Sequence, residues 1–212
     1  MSRLEPVECL IVGPPGCGKT MLALSLIESI GRREVEIYHE GPDGRVSSRC
    51  WPLGAAKQEL VGTNPGTTVG LQWSHLELPV GLGRGRRPVT LVDSTGLYSG
   101  PEEDGRVRAG AARTLGLLGR AALILQLVDA GAGRLDRLDH QLCAFCQQAR
   151  RGRHLVLLSR ADLSPGPADQ AAATASAELG TAVQPVSSLR RRDLGRLLRQ
   201  LKRWLGGRPK AG

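Results

Sequence analysis

Eight consecutive residues, Gly13-Pro14-Pro15-Gly16-Cys17-Gly18-Lys19-Thr20, leave this chain the fewest choices of fold. They fit the pattern G-x-x-x-x-G-K-[ST] in full, and their flanks fit as well. The apolar run Val7 to Val12 reads as a strand. Met21, Leu22, Leu24, Leu26 and Ile27 give the stripe of a helix. Glycines between a strand and a helix let the backbone turn its N–H groups inward, and the helix N-terminus adds partial positive charge. Such a loop holds phosphate oxygens. All eight residues are therefore candidate contacts to a nucleotide, with Lys19 reaching the β- and γ-phosphates as a catalytic group and the Thr20 hydroxyl placed to ligate Mg²⁺. A glycine-rich turn that merely precedes Lys-Thr would not need the strand before it and the helix after it.

The rest of the chain repeats that alternation. Strands are expected at Val69 to Leu78, Pro88 to Val92, Leu123 to Val128, His154 to Leu158 and Ala182 to Val186. Helices are expected near Glu102 to Leu118, Leu135 to Arg150, Ala168 to Leu179 and Arg192 to Leu205. The glycine-rich link from Gly81 to Arg87 predicts a hairpin, which contributes one antiparallel edge strand. The expected fold class is α/β: a three-layer P-loop NTPase fold, mostly parallel, with helices on both faces. A single domain over 1–212 is expected, with a flexible insertion at about 31–63 holding one short strand near Val35 to Tyr38. A chain of 212 residues is long enough to bury such a core.

Pro14-Pro15-Gly16 is common in ATPases of the AAA type, so the loop does not choose the base. The strand-end loops downstream must do so. Asp93 ends one strand, where it can hold Mg²⁺, and Gly96 follows three residues later, where a backbone N–H can approach the γ-phosphate. Thr68, in Asn64-Pro65-Gly66-Thr67-Thr68, precedes another strand and can close over the metal. Asp162, in Ser159-Arg160-Ala161-Asp162, can accept from the two N–H donors on the guanine edge, a pair that adenine lacks. Ser187-Ser188 follows the last strand and can offer a backbone N–H to the guanine carbonyl. Taken singly, Asp and Ser after strands are usually caps. Their order is the stronger argument, because ligands of open α/β sheets bind at the carboxyl ends of the strands.

With those motifs in place, the chain resembles the translation-factor-related class of GTPases, particularly its Era-like group, over about residues 7 to 205. Gly66-Thr67-Thr68 and Asp93-Ser94-Thr95-Gly96-Leu97-Tyr98 carry the resemblance most closely. It implies GTP/GDP and Mg²⁺ as ligands, Thr68 as the metal-sensing threonine beside Thr20 and Asp93, and Asp162 as the residue that reads guanine. Three departures stand out. The family's base motif is Asn-Lys-x-Asp, and here Ser159 supplies no amide while Arg160 can lay its stem and planar head along the base. Gly16 stands where potassium-stimulated members have Asn. Leu97 stands where Ras-like proteins place a water-orienting glutamine, so hydrolysis is expected to be slow without a partner.

The net charge of +9 is concentrated. Between Leu189 and Gly212, nine basic residues stand against one acid, Asp193, so the basicity belongs to the last helix. One face of that helix carries Leu194, Leu197, Leu198, Leu201, Trp204 and Leu205, and the other carries Arg196, Arg199, Lys202 and Arg203. A solvated charged face is the ordinary reading. Contact with a protein, with RNA or the ribosome, or with an anionic surface is the functional one, and 3% aromatic residues favour phosphate contact over base stacking. No run is long enough to span a bilayer and no secretory leader is evident, so a cytoplasmic location is expected. Five cysteines fit free thiols there, and Cys143-Ala144-Phe145-Cys146, lacking a second pair, fits helix packing better than zinc. Two rival readings remain. One is a P-loop ATPase or nucleotide kinase, against which no strand ends in an Asp-Glu pair. The other is an interaction module that binds nucleotide with little hydrolysis.

Overall fold

The computed structural model describes residues 5–41, 44–61, 71–80, 85–94, 96–97, 105–149, 153–164 and 166–206, with 105–109 and 149 by backbone alone. Its strands are β1 (Val7–Val12), β2 (Glu34–Glu40), β3 (Val46–Pro52), β4 (Gln72–Pro79), β5 (Arg86–Asp93), β6 (Leu123–Asp129), β7 (Arg153–Ser159) and β8 (Val183–Pro185). Its helices are α1 (Lys19–Ser29), α2 (Leu53–Leu60), α3 (Gly105–Leu118), α4 (Arg137–Ala149), α5 (Ala168–Leu179) and α6 (Arg191–Gly206), and a 3₁₀ turn spans Ala130–Ala132. All eight strands join one sheet in the order β3-β2-β4-β5-β1-β6-β7-β8. Pairing is parallel from β5 to β8 and antiparallel from β5 outward to β3. The expected three-layer fold is present, with β4 reversed as the hairpin required.

The central strands are apolar without alternation because both of their faces are covered. Along β1, Cys9 and Ile11 join one cluster with Leu22 and Leu26 of α1 and with Leu194, Leu197 and Leu201 of α6. Leu10 and Val12 point the opposite way, into a cluster with Leu117, Leu118, Leu142 and Cys146 from α3 and α4. A third cluster joins Val156 and Leu158 of β7 to Cys143, Ala172 and Leu179 of α4 and α5. The final helix thus buries its leucine stripe as expected and leaves Arg196, Arg199 and Arg203 exposed.

The region at about 31–63 departs most from expectation. Read as an irregular insertion with one short strand, it contains a β2–β3 hairpin paired over seven residues and the helix α2. Leu53 and Ala56 anchor α2 in the core cluster. The hairpin extends the sheet beyond β4, so the antiparallel margin is wider than one strand.

One polar side chain is fully buried in the middle of β6. Gln126 donates from Nε2 to the Asp139 carbonyl at 2.9 Å, and its Oε1 lies 3.0 Å from His154 Nε2 on β7. Burial pushes the His154 pKa down to about 4, so the ring is neutral in the folded chain. The unfolded chain takes up that proton near the ordinary value of about 6.5. The contribution is therefore intact above that pH and is lost as pH falls toward 4. Between about pH 7 and about pH 5, His154 is expected to cost the parent about 1–2 kcal/mol of stability. Asp139, pushed up by burial to about 6, works in the opposite sense and is common to parent and variant. Denaturant unfolding of His154→Gln at both pH values should show that the pH-dependent loss has shrunk by this amount. An unchanged difference would remove His154 from the account.

Candidate nucleotide site

The carboxyl ends of β5, β1, β6, β7 and β8 are neighbours, so the loops that follow them form one rim of the sheet. The loop after β1 turns through three glycines with positive φ: Gly13 at 151°, Gly16 at 73° and Gly18 at 92°. Gly13 has little alternative, because a Cβ there would lie 2.5 Å from the Leu127 carbonyl oxygen. Gly18 is the N-cap of α1, and the first turn of that helix has neither a side-chain cap nor an acidic residue. The positive end of the helix therefore faces this loop with no side-chain carboxylate or hydroxyl capping it, which suits an anion.

Lys19 is 6% exposed. Its Nζ donates to the Pro14 carbonyl at 2.8 Å and the Gly13 carbonyl at 3.2 Å, which folds the ammonium back over the loop. Next to it, Thr20 Oγ1 donates to Asp93 Oδ2 at 2.6 Å. Asp93 is buried at the end of β5, and burial pushes its pKa up to about 6. Its second oxygen, Oδ1, has no hydrogen-bond partner among the described residues. A hydroxyl and a carboxylate this close, with one buried oxygen left over, fit a small hard cation that takes oxygen ligands and shares them with phosphate. Sequence reading placed these two residues 73 positions apart in one site, and the fold brings them into contact.

Ser94, Gly96 and Leu97 lie against the end of β1 and the phosphate loop. Ser94 N donates to Ile11 O at 3.3 Å, and Leu97 N donates to Gly13 O at 3.2 Å. A Cβ on Gly96 would lie 2.8 Å from Pro15 Cα, so only glycine permits this approach. Leu97 is buried among Leu10, Val12, Val92 and Leu117. Thr68 lies outside the described residues. Cys17 is fully buried, and burial pushes its thiol up to about 11, which leaves it unreactive as a thiolate.

On the other side of β1, the loop after β7 crosses toward the same rim. The Ser159 hydroxyl donates to the Val128 carbonyl at 3.0 Å, so its side chain ties β7 to β6. Arg160 has φ 53°, and its Cγ would lie 3.9 Å from a Cβ on Gly18, which sets its stem beside the phosphate loop. Its guanidinium turns to the carboxylate of Asp129. Nε donates to Asp129 Oδ1 at 2.9 Å and Nη2 donates to Asp129 Oδ2. Ala161 N donates to Val186 O at 3.2 Å, which joins this loop to the one after β8, and Asp162 follows half-buried. Ser187 N donates to Asp193 Oδ2 at 3.1 Å, and Ser187 Oγ accepts from Leu189 N at 3.2 Å, which leaves Ser188 as the loop's candidate for a base contact.

Two residues of this rim escaped sequence reading. Asp129 closes β6 as Asp93 closes β5, and that shared position was its only signal. Asp193, the single acid of the basic tail, pins the Ser187 loop from the first turn of α6. A cavity of about 270 Å³ borders Asp129 on the outer side, between Leu158 and α5, and the phosphate loop does not line it.

Comparison with known proteins fits this geometry. The family model for ATPases associated with various cellular activities (AAA) matches residues 9–45, which hold most of β1, the phosphate loop, α1 and β2. Two solved Era structures match nearly the whole chain. One is Era in complex with MgGDPNP and a segment of 16S ribosomal RNA, at 18% identity and a TM-score of 0.65. The other is an Aquifex aeolicus Era variant bound to GDP and AlF₄⁻, at 18% identity and a TM-score of 0.63. The fold is that of a P-loop NTPase. Each match covers 99% of this chain and 60% of the Era chain, so this protein spans less than two thirds of those relatives. No curated protein sequence matches it. No helix among the described residues is long and apolar enough to cross a membrane.

Proposed function

We propose that this protein is a Mg²⁺-dependent GTP-binding and GTP-hydrolysing switch, formed by one GTP-binding domain over 1–212 and working in the cytoplasm. The observation that carries the reading is the Thr20–Asp93 contact of 2.6 Å beside an uncapped helix start. It supplies a metal position next to a phosphate position, which a phosphate loop alone lacks.

Phosphoryl transfer needs mainly positioning and charge stabilisation, so no covalent residue is required. Lys19 and the N–H groups of residues 16–20 take the phosphate charge, while Pro14 and Pro15, which have no N–H, shape the loop. Thr20, Asp93 and Thr68 would hold Mg²⁺, which would supply positive charge to the phosphates. Gly96 presents its N–H to the γ-phosphate from a segment already resting on Pro15. Leu97 is apolar and buried and cannot orient water, so turnover by the chain alone is slow. At the other end, the Arg160 stem, Asp162 and the Ser188 amide form the base site, with Ser159 and Ser187 shaping their loops.

The Era structures support guanine over the alternative, because their likeness covers 99% of the chain while the AAA model covers only the segment around the phosphate loop. The exposed arginines of α6 suit contact with nucleic-acid phosphate, and one of those Era structures holds 16S ribosomal RNA. Equilibrium binding of GTP, GDP and ATP to the purified protein tests the base assignment. GTP and GDP should bind and ATP should compete poorly. Asp162→Ala should bind GDP about thirtyfold more weakly, the cost of losing a charged partner for two donors. A preference for ATP overturns the reading and restores the ATPase alternative, while binding without turnover, even with ribosomes added, favours the passive module.

A further inference from the structure

The base motif here contains an arginine in a left-handed backbone conformation, and the fold provides it with a partner on the next strand. Arg160 is the only described residue other than glycine with a positive φ, 53°. Such a conformation is uncommon for a side-chain-bearing residue and persists where its surroundings determine it. Two surroundings do so. The backbone is tied at Arg160 O, which accepts from Leu163 N at 2.8 Å. The side chain is tied at both its inner and outer nitrogens by the two oxygens of Asp129.

We propose that Asp129 is the positioning residue of the base site: it holds the Arg160 head aside so that the aliphatic stem, and not the charge, faces the nucleotide. This rests on the GTP reading above. The register of the sheet makes the pairing possible, because Asp129 on β6 stands opposite Ser159 on β7, one residue before Arg160. Asp129 is itself held, accepting from Gly131 N at 2.9 Å. Gly131 also makes room: a Cβ there would lie 3.3 Å from Arg160 Nη2 and 3.4 Å from Asp129 Oδ1.

The chemistry explains why the partner is an aspartate. A guanidinium is a planar fork that matches a carboxylate at two points, whereas an ammonium on a flexible stem is a single point charge. Left unpaired beside the phosphate loop, the fork would compete with the loop amides and Lys19 for phosphate oxygens. Paired, it is neutralised and fixed, and the Cγ stays beside Gly18. The Asp129 side chain is 16% exposed and that of Arg160 39%, so the pair is partly desolvated.

A double-mutant cycle on GDP affinity separates this role from a structural one. Asp129→Ala alone should weaken GDP about tenfold, because one partner of a partly desolvated pair is left without the other. Arg160→Met keeps an apolar stem and needs no partner, so adding Asp129→Ala in that background should change affinity by no more than about twofold. If both backgrounds lose affinity equally, Asp129 acts only on the turn at 130–132 and the proposal fails. It fails too if Asp129→Ala binds like the parent. Asp129→Asn, which keeps an oxygen for Gly131 N, serves in the same cycle if the alanine variant does not fold. A parent that binds no guanine nucleotide overturns the earlier reading and this one together, whereas a parent that binds and shows equal losses overturns this one alone.

Discussion

Lys19→Ala should hold GTP and GDP about a thousandfold more weakly than the parent while keeping a cooperative melting curve without ligand. The ammonium is almost sealed from solvent and is bonded to two carbonyls of its own loop, at 2.8 and 3.2 Å. Those carbonyls hold it in place but neutralise nothing. The charge is carried in a desolvated position whose natural complement is an anion, and phosphate supplies one. Truncation removes that positive charge, leaving the start of α1, which has no side-chain cap, as the main attraction. The fold itself should survive, because Leu22, Leu24 and Leu26 fasten α1 to the sheet independently of Lys19. Titration with a fluorescent GDP analogue and a parallel thermal melt give both numbers. Parent-like affinity would show that the loop does not wrap the phosphates.

How far the sequence reveals this fold depends on what each element is buried against. Strands β6 and β7 are legible because both faces are covered, so Leu123-Ile124-Leu125 and Val156-Leu157-Leu158 read as uninterrupted apolar runs. The bounds of α5 are legible too, since Pro167 precedes it and Gly180, with φ 62°, ends it. In contrast, β3 is almost wholly exposed along Val46 to Pro52 and carries no apolar pattern. Its strand character comes from pairing with β2 across the hairpin, a contact that a window on β3 alone does not contain. The helix α2 was equally hidden, eight residues starting after a proline with a glycine inside.

The candidate site divides along the same line. Residues 13–20 announce themselves because the chemistry demands their order in one stretch of chain. Asp93 and Gly96 follow from their place after a strand, and the fold sets them against Thr20 and Pro15. The partners that fix side-chain geometry do not show. Asp129 acts on Arg160, 31 residues away, and Asp193 acts on Ser187 from the next helix. Each is a lone acid whose role exists only once two elements are packed. Charge counting came close with Asp193, by marking it as the one acid in a basic tail.

Gly96→Ala should fold but lose about a hundredfold in GTP turnover, with GDP affinity changed far less. The added methyl would meet Pro15 Cα at 2.8 Å and Pro15 N at 2.9 Å, distances that force one of the two segments to move. The phosphate loop is the less able to yield, being wedged by Gly13 against Leu127 and continued by α1. Gly96 and Leu97 must then lift, which breaks the 3.2 Å bond from Leu97 N to Gly13 O and carries the Gly96 N–H away from where a terminal phosphate would lie. GDP has no γ-phosphate to miss that donor, so the loss should fall on the triphosphate. The ratio of GTP to GDP affinity should drop together with single-turnover hydrolysis. The buried Leu97 ties this segment to the cluster beneath α3, so lifting it also disturbs that packing. Equal losses for the two nucleotides would mean that Gly96 only supports the loop beneath it, and the switch would have to sense the γ-phosphate elsewhere.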